Sequence, residues 1–282
     1  MVAIILLVIL ASAFALQIVT GGFPVEFFEF PLNVVILILW LIGVLWLWSS
    51  RRKSLLVSFL LSPSATFSSV LMLIAACLYM GFTGSRSFSS SWIFVLLIIY
   101  LQTVLLFVIL RGWREATPTG ARLGPVRVRF LLLHLGMLIA MTSAFWGSPD
   151  SLTLRMKVTE GISTNEAYAM DGAPEFLDYE VELKDFNLQT YDNDMPSDFS
   201  AVIAAAGKTT TLRVNHPFRV GFGEQIYLSS YDAEAGPESD YCILQIVQEP
   251  WKGLTLAGMV MMLAGALLLF IAGPRKRYND ID

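Results

Sequence analysis

The chain has 282 residues, of which 55% are hydrophobic and only 15% are charged, and its formal net charge is −4. Because an ordinary soluble domain carries about 25% charged residues, this composition predicts an integral membrane protein. Residues 147–250 hold six Lys and Arg against eighteen Asp and Glu, a local balance of −12. A segment this acidic repels phosphate backbones, so we expect no nucleic-acid partner.

Six apolar runs approach the length of about 17–25 residues that a helix needs to cross a bilayer. They are Val2–Val19, Asn33–Trp48, Thr66–Phe82, Trp92–Leu110, Phe130–Trp146 and Leu254–Ala272. Six crossings place both termini on the same side of the membrane. The first run has the length of a signal sequence, but no basic segment precedes its apolar residues. We therefore interpret it as a retained helix.

The basic residues predict the orientation of these helices, because short loops rich in Lys and Arg remain in the cytoplasm. One set of loops, with the C-terminal tail, carries eleven of them: Arg51, Arg52, Lys53, Arg111, Arg114, Arg122, Arg127, Arg129, Arg275, Lys276 and Arg277. The opposite short loops contribute only Arg86. We therefore expect a multi-pass protein of the bacterial inner (plasma) membrane, with cytoplasmic termini and residues 147–250 outside.

Two short segments are expected at the membrane surface. Leu55–Leu61 is too short to cross a bilayer, and we interpret it as an interfacial piece that is stopped by Pro63. Residues 23–31 combine two prolines and two glutamates with several phenylalanines, which indicates an aromatic turn at the outer headgroup level. This turn either anchors the chain at the interface or faces a ligand.

Residues 147–250 are expected to form one β-domain. The segment LTLRMKV, from Leu152, alternates hydrophobic and polar residues, and DYEVELKDFNLQTY, from Asp178, alternates with one slip near Asp185. Four more segments of this kind follow, separated by Gly, Pro, Asn and Asp, without a long helical pattern between them. Strands that bury one face and expose the other suit an antiparallel sandwich or barrel-like fold.

The predicted architecture is therefore an α-helical integral membrane protein, with six transmembrane helices and one all-β extracytoplasmic domain. Residues 1–50 form an N-terminal transmembrane hairpin, and residues 51–146 hold the third to fifth helices with their basic loops. The β-domain occupies residues 147–250. Residues 251–282 are the sixth helix and a cytoplasmic tail.

His134 is the one histidine or formally charged side chain in the six apolar runs. A charge at mid-bilayer costs a few kcal/mol, so an ionisable residue there usually faces a partner, a cavity or a cofactor. Neutral imidazole is also a common ligand of metals and haem iron. Because His134 follows Arg129 by five residues, it lies about 7–8 Å inside the cytoplasmic boundary. The alternative is a histidine that is hydrogen-bonded to a neighbouring helix, and the residues leave both interpretations open.

No catalytic constellation is visible in the sequence. The two histidines, His134 and His216, are expected at different levels, and there is no nucleophile elbow or phosphate-binding glycine loop. The chain lacks both CxxC and CxxCH, so it is neither a thiol–disulfide reductant nor itself a c-type cytochrome. Cys77 and Cys242 are expected in different phases without an intramolecular disulfide, Cys242 as a small buried hydrophobe. Whether the chain is part of an enzyme complex stays open.

The remaining features of interest concern turns and helix packing. Residues 215–217, which include His216, are interpreted as a structural turn between two strands. Gly258 and Gly265 on the last helix predict a helix-packing face, and Gly136 and Ser143 would let another helix approach closely.

Several segments, in a fixed order, carry a resemblance to a known family. They are HLGMLIAMTSAFWG from His134, running into LTLRMKVTEG, then FLDYEVELKDFNLQTYDNDMPSDFSAVI, LRVNHPFRVGFGEQIYLSSYD and QEPWKGLTLAGMVMMLAGALLLF. In their order around a helix–domain–helix frame they resemble the ResB family, also called CcsB, of System II cytochrome c maturation. The resemblance extends roughly from Phe67 to the end of the chain. The first hairpin has no counterpart in it.

The resemblance implies that the protein works with a CcsA-type haem-handling membrane partner to export haem and present it to apocytochrome c, whose CxxCH thiols attach to it. It also implies that His134 is one axial ligand of a transient haem b within the membrane, with the second ligand coming from the partner. The WxWD motif of such partners is absent from this chain. The protein is therefore not expected to act alone, and membrane lipid is its other expected contact.

Two functions of other classes remain open. One is a membrane-anchored β-domain that binds or stabilises a partner protein without haem contact. The other is a proton- or ion-coupled transporter that uses His134. The transporter is the weaker of the two, because a single ionisable group without intramembrane Asp, Glu or Arg makes a poor relay.

Overall fold

The computed structural model describes residues 2–51, 54–116, 125–192 and 195–272. The chain divides into two compact units, one formed by Met1–Pro149 with Leu254–Asp282 and the other by Asp150–Gly253. We call them the helical unit and the β unit. Six of the basic residues used to predict the orientation lie outside the described residues: Arg52, Lys53, Arg122, Arg275, Lys276 and Arg277.

Seven α-helices lie within the described residues. They are α1 (Val2–Thr20), α2 (Leu32–Ser50), α3 (Leu55–Leu60), α4 (Pro63–Thr83), α5 (Trp92–Ala116), α6 (Pro125–Trp146) and α7 (Lys252–Ala272). Five of them, α2 and α4 to α7, are long and apolar enough to cross a membrane, whereas α1 contributes only the shorter apolar stretch Ile4–Thr20. Every predicted run thus lies in a helix, but a sixth crossing is not confirmed.

The exposed surface of the long helices is hydrophobic. Val19 at the end of α1 is 82% exposed and Phe270 on α7 is 84% exposed, and many Leu, Ile and Val side chains of α1, α2 and α7 are exposed to a lesser degree. Helices that are apolar all round are stable in hydrocarbon, where their backbone groups are satisfied internally. These features are those of an integral membrane protein.

The short segment between α2 and α4 differs in detail from its prediction. It is the six-residue helix α3, too short to cross a bilayer as expected, but three of its residues, Phe59 among them, are buried in the core of the helical unit. Pro63, which was predicted to stop this segment, is the first residue of the next helix, α4. The Ser62 hydroxyl accepts from the Ala65 amide as the N-cap, so α4 begins three residues before the predicted Thr66.

Helix α5 lies at the centre of the helical unit. In the apolar stretch of α5, 61% of the residues are buried, compared with 11–22% in the other helices that are long and apolar enough to cross a membrane. It contacts α1, α4 and α6, and its Val104 and Phe107 are part of the buried core. Helix α2 also contacts this helix, because the Trp40 indole donates to the Thr103 hydroxyl at 3.1 Å.

The described residues of the β unit form eight strands in one antiparallel sheet. They are β1 (Leu152–Thr159), β2 (Ser163–Ala169), β3 (Pro174–Thr190), β4 (Pro196–Ala205), β5 (Lys208–Arg213), β6 (Phe218–Gly221), β7 (Glu224–Tyr231) and β8 (Tyr241–Gln248), in the order β5-β4-β3-β2-β1-β8-β7-β6. The antiparallel prediction is confirmed. The predicted slip is a register shift between Leu183 and Asp185, which restores the inward direction of the later residues of β3.

The sheet is a single open layer that curls over itself, rather than a pair of packed sheets or a closed barrel. Edge strands β5 and β6 do not pair along their length; the turn between them forms only the isolated bridge from Arg213 to His216. The curl is visible in contacts between strands that are not neighbours, β5 with β7 and β3 with β8. It lets one face cover its own core, in which Met156, Ile203 and Leu244 are fully buried.

Candidate functional site around His134

The imidazole of His134 is held by its own helix. Its Nδ1 lies 2.9 Å from the carbonyl oxygen of Phe130, one turn earlier on α6, and the ring is half-buried. Because a carbonyl oxygen can only accept, Nδ1 must carry the proton of this hydrogen bond. In the neutral ring Nε2 then has a lone pair, and it has no hydrogen-bond partner among the described residues. The predicted alternative, a bond to a neighbouring helix, is not what the geometry shows.

Phe130 also contacts His134 through its ring. The two ring centroids are 4.1 Å apart and the planes are inclined by 29°, a stacked arrangement. On α5, Gly112 leaves room for the phenyl ring, because a Cβ added there would lie 2.3 Å from Phe130 Cε1. The phenyl ring therefore contacts both the α5 backbone at Gly112 and the imidazole.

Helix α6 meets α7 through its small residues. A Cβ on Gly136 would lie 2.9 Å from Met262 N, and one on Gly265 would lie 3.0 Å from Leu133 N. Farther along the same contact, the hydroxyl oxygens of Ser143 and Thr255 are 2.9 Å apart. The close approach that the sequence predicted at these glycines is confirmed, and it allows van der Waals contact between backbones and an interhelical hydrogen bond.

His134 lies on another face of α6. Residues four apart share a face of a helix, so Phe130, His134 and Leu138 form one row. Phe130 contacts Gly112 of α5, and Leu138 is buried in the same core as Phe107 of α5. The histidine is therefore on the α5-facing side of α6. A haem that it ligates would have to approach it on that side.

The donor set at this site suits one axial position of a haem iron and no complete metal site. No group of three or more His, Cys, Asp and Glu among the described residues is arranged to hold a metal ion. A neutral imidazole whose other ring N–H is fixed by a backbone carbonyl is a common form of metal-ligating histidine. One further ligand would have to come from outside the residues described.

The other sequence-predicted residues lie apart from His134. In the β unit, Asn215 adopts the left-handed region with φ 62°, and the His216 amide donates to the Arg213 carbonyl at 3.0 Å. This geometry supports the interpretation of residues 215–217 as a turn, and the His216 side chain is exposed. Cys242 is a fully buried free thiol, whose pKa is raised to about 12 by burial, and Cys77 is a free, exposed thiol on α4.

The sequence did not predict a cavity of about 470 Å³ within the helical unit. Its lining includes six aromatic side chains: Phe23, Phe28, Trp92, Phe94, Phe145 and Trp146. Asn33, fully buried at its edge, donates through Nδ2 to the Trp146 carbonyl at 2.9 Å. The cavity begins at Met141, seven residues beyond His134 and hence about 10 Å farther along α6, so it is separate from the histidine.

Three features of the helical unit were thus missed from sequence: the contact of Phe130 with His134, the space at Gly112 and the cavity. The spacing of Phe130 and His134, four apart on a helix, is a signal that would have placed the two rings together. No comparable signal existed for Gly112 or for the cavity, because both depend on how distant segments pack.

Comparison with known proteins gives one family match. Residues 126–243, from the first turn of α6 to β8, match the ResB-like family. The match confirms the predicted resemblance over a shorter range than expected, 118 residues instead of the stretch from Phe67 to the end. No curated protein matches the chain.

One solved structure similar to the chain is described as "Cytochrome c Heme Lyase CcmF", with 13% sequence identity and a TM-score of 0.41. The similarity covers 72% of this chain and 34% of that one, so the chain spans about a third of the length of that structure. A likeness this weak carries no inference about function.

Proposed function

Taking the ResB-like match over residues 126–243 as the premise, we propose that this protein is the ResB-like subunit of a System II cytochrome c maturation complex. In this role it helps a CcsA-type partner to export haem b and present it for thioether attachment to the CxxCH motifs of apocytochrome c. The observation that carries the proposal is His134, which lies within the matched segment with its Nε2 lone pair unused among the described residues.

In this proposal His134 supplies one axial ligand to the haem iron, and the partner supplies the other. The hydrogen bond from Nδ1–H to the Phe130 carbonyl supports the assignment, because it directs the basic nitrogen away from the helix backbone. A neutral histidine is also tolerated in a membrane at lower cost than a carboxylate or an ammonium. The bound haem would supply the vinyl groups for thioether formation, while this chain binds and orients it.

The proposed orientation places both termini in the cytoplasm and the β unit outside. It is supported by the basic residues that flank the helices, such as Arg51 after α2 and Arg111 and Arg114 at the end of α5. In this orientation His134 lies in the cytoplasmic half of α6, where a ligand that arrives from the cytoplasm would first be bound.

The partner is required by the proposal, since this chain offers one membrane histidine and no WxWD motif. Expressed alone, the chain should mature no c-type cytochrome, and co-expression with a CcsA-type protein should restore maturation. Full maturation of cytochrome c by this chain alone would contradict the proposed requirement for a partner.

The decisive experiment is His134→Ala in the complex with a CcsA-type partner. We expect haem that co-purifies with the complex to be lost or sharply reduced, because the axial ligand is gone, while membrane insertion and the β unit are retained. Added imidazole should partly restore haem binding by occupying the vacated position. His216→Ala is the matched control, since this exposed histidine lies in a turn of the β unit and should leave the haem content unchanged.

Wild-type haem content and maturation in His134→Ala would refute the ligand assignment. The protein would then be better described as a membrane-anchored β-domain that binds a partner protein without haem contact.

A further inference from the structure

Phe130 touches His134 in two independent ways. Its carbonyl oxygen accepts from Nδ1 at 2.9 Å, and its phenyl ring stacks on the imidazole with centroids 4.1 Å apart. The carbonyl determines which nitrogen carries the proton, and the stacked ring limits rotation of the imidazole about its side-chain bonds. Together they determine both the protonation of Nε2 and the direction of its lone pair.

The phenyl ring is itself held by α5. A Cβ at Gly112 would lie 2.3 Å from Phe130 Cε1 and 2.6 Å from Cζ, so the ring occupies the space that a side chain at position 112 would take. At the preceding residue of α5, the guanidinium of Arg111 donates to the Leu61 carbonyl at 2.8 Å. This part of α5 is thus held to the segment between α3 and α4. The phenyl ring of Phe130 packs on this part of the α5 backbone.

We propose that Phe130 is the positioning residue of His134: with Gly112 beneath its ring, it keeps the proton on Nδ1 and orients the Nε2 lone pair toward an incoming metal ion. The inference rests on the proposed function for the identity of that metal, haem iron. The tautomer and the ring orientation, however, are properties of the protein alone and can be measured without haem.

The first measurement is of the histidine in the full chain, labelled with ¹⁵N-histidine and held in nanodiscs. Because the chain has two histidines, the variant His216→Gln leaves His134 as the one observed imidazole. We expect ¹⁵N shifts of the neutral ring with the proton on Nδ1. A ring protonated on Nε2 would overturn the proposal, whatever the outcome of the haem experiments.

The second measurement is of haem affinity, in the complex with a CcsA-type partner titrated with haem b. Removal of the stacked ring in Phe130→Leu keeps the backbone carbonyl, so the tautomer should persist while the affinity falls about 10–100-fold, the usual loss when the outer support of a metal ligand is removed. The optical spectrum of the bound haem should shift in the same variant, because the ring that ligates it is no longer held. Phe130→Tyr keeps an aromatic ring at this position, so its haem affinity and optical spectrum should be those of the wild type.

Gly112→Ala tests the α5 contact without touching Phe130 or His134. Its new methyl group must displace the phenyl ring, so we expect the same direction of change in spectrum and affinity. Gly81→Ala on α4, where an added Cβ meets nothing within 4 Å, is the matched control and should behave as the wild type.

The outcomes separate this proposal from the proposed function. If His134→Ala loses haem but Phe130→Leu and Gly112→Ala keep wild-type affinity and spectrum, the positioning role is wrong and the ligand assignment stands. If His134→Ala keeps its haem, the ligand assignment fails, and the positioning role of Phe130 toward haem fails with it.

Discussion

A Cβ added to Gly136 of α6 would lie 2.7 Å from the carbonyl oxygen of Gly258 on α7, and one added to Gly258 would lie 2.6 Å from the carbonyl oxygen of Gly136. Real Cβ atoms essentially never approach another atom so closely. The two helix backbones are therefore in direct contact at this point, with no side chain between them, as in other close-packed membrane helices.

Gly136→Ala should therefore destabilise the helical unit. The methyl group meets backbone atoms that cannot rotate away, and overpacking of this kind costs about 1–3 kcal/mol. Thermal unfolding of the full chain in detergent should show a lower Tm for this variant. Gly43→Ala on α2, where an added Cβ meets nothing within 4 Å, is the matched control and should unfold at or above the wild-type temperature. An equal Tm for the two variants would contradict the backbone contact.

The stability of the β unit should fall at alkaline pH through Tyr179. Burial, then the hydrogen bond to Glu224, then the charge of that carboxylate raise the pKa of Tyr179 well above its ordinary value. Above about pH 10 the unfolded chain loses this proton while the folded one keeps it. The free energy of unfolding should therefore decrease as pH rises beyond 10, by at most about 1.4 kcal/mol per pH unit for this group.

Hydrogen exchange of β7 amides in the full chain, measured between pH 9 and 11 with correction for intrinsic exchange, would detect this loss. Tyr179→Phe should weaken the unit near neutral pH by about 1.5–3 kcal/mol, the value of a hydrogen bond to a charged group, and should flatten the alkaline decline. Glu224→Gln keeps an acceptor but removes the charge, so it should flatten the decline with a smaller loss at neutral pH. An alkaline decline that is unchanged in both variants would count against the role of this pair.

Cys242 should resist alkylation in the folded protein. Its side chain is fully buried and burial raises its pKa to about 12, so at neutral pH its reactive thiolate is far scarcer than that of an ordinary exposed thiol. Mass spectrometry after treatment with iodoacetamide should find it unmodified until the protein is denatured. Ser229→Cys, at an exposed position of β7, provides the comparison and should react at once. Rapid modification of native Cys242 would show that the β unit opens readily.

The proposed orientation predicts which cysteines an impermeant maleimide reaches in intact spheroplasts. In a chain that carries Cys77→Ala, Ser229→Cys in the β unit should be labelled before lysis. Ser50→Cys, exposed at the end of α2, should be labelled only after the membrane is opened. The reverse pattern would place the β unit in the cytoplasm and overturn the orientation.

The sequence predicted those features that depend on local periodicity. The apolar runs located the long helices, and the alternation in β3 located even the register shift at Asp185, because a one-residue slip reverses which side chains face inward. Glycines spaced along α7 predicted a helix-packing face, and in the structure this face contacts α6. Helix boundaries were less accurate: α6 begins at Pro125, five residues before the predicted Phe130, since arginines in the first turns do not interrupt a helix.

The sequence could not predict features that depend on distant packing. The open, curled sheet depends on contacts such as that between Tyr179 and Glu224, which are 45 residues apart. At the candidate site the histidine itself was identifiable as an isolated ionisable group in an apolar helix. The space at Gly112 that accommodates Phe130 could not be identified, because the sequence does not show which side chain packs against a helical glycine.

The close pairing of α6 with α7 has a consequence for how the β unit folds. Strands β1 and β8 pair along their whole length, from Leu152 with Gln248 to Thr159 with Tyr241, although they lie at opposite ends of the inserted segment. In a free chain, bringing such distant strands together is the slow, entropically costly step. Here the antiparallel helices already hold the two ends of the segment together. We therefore expect the packed helices α6 and α7 to act as a folding template: β1 and β8 pair early, and the other strands of the sheet add to that pair.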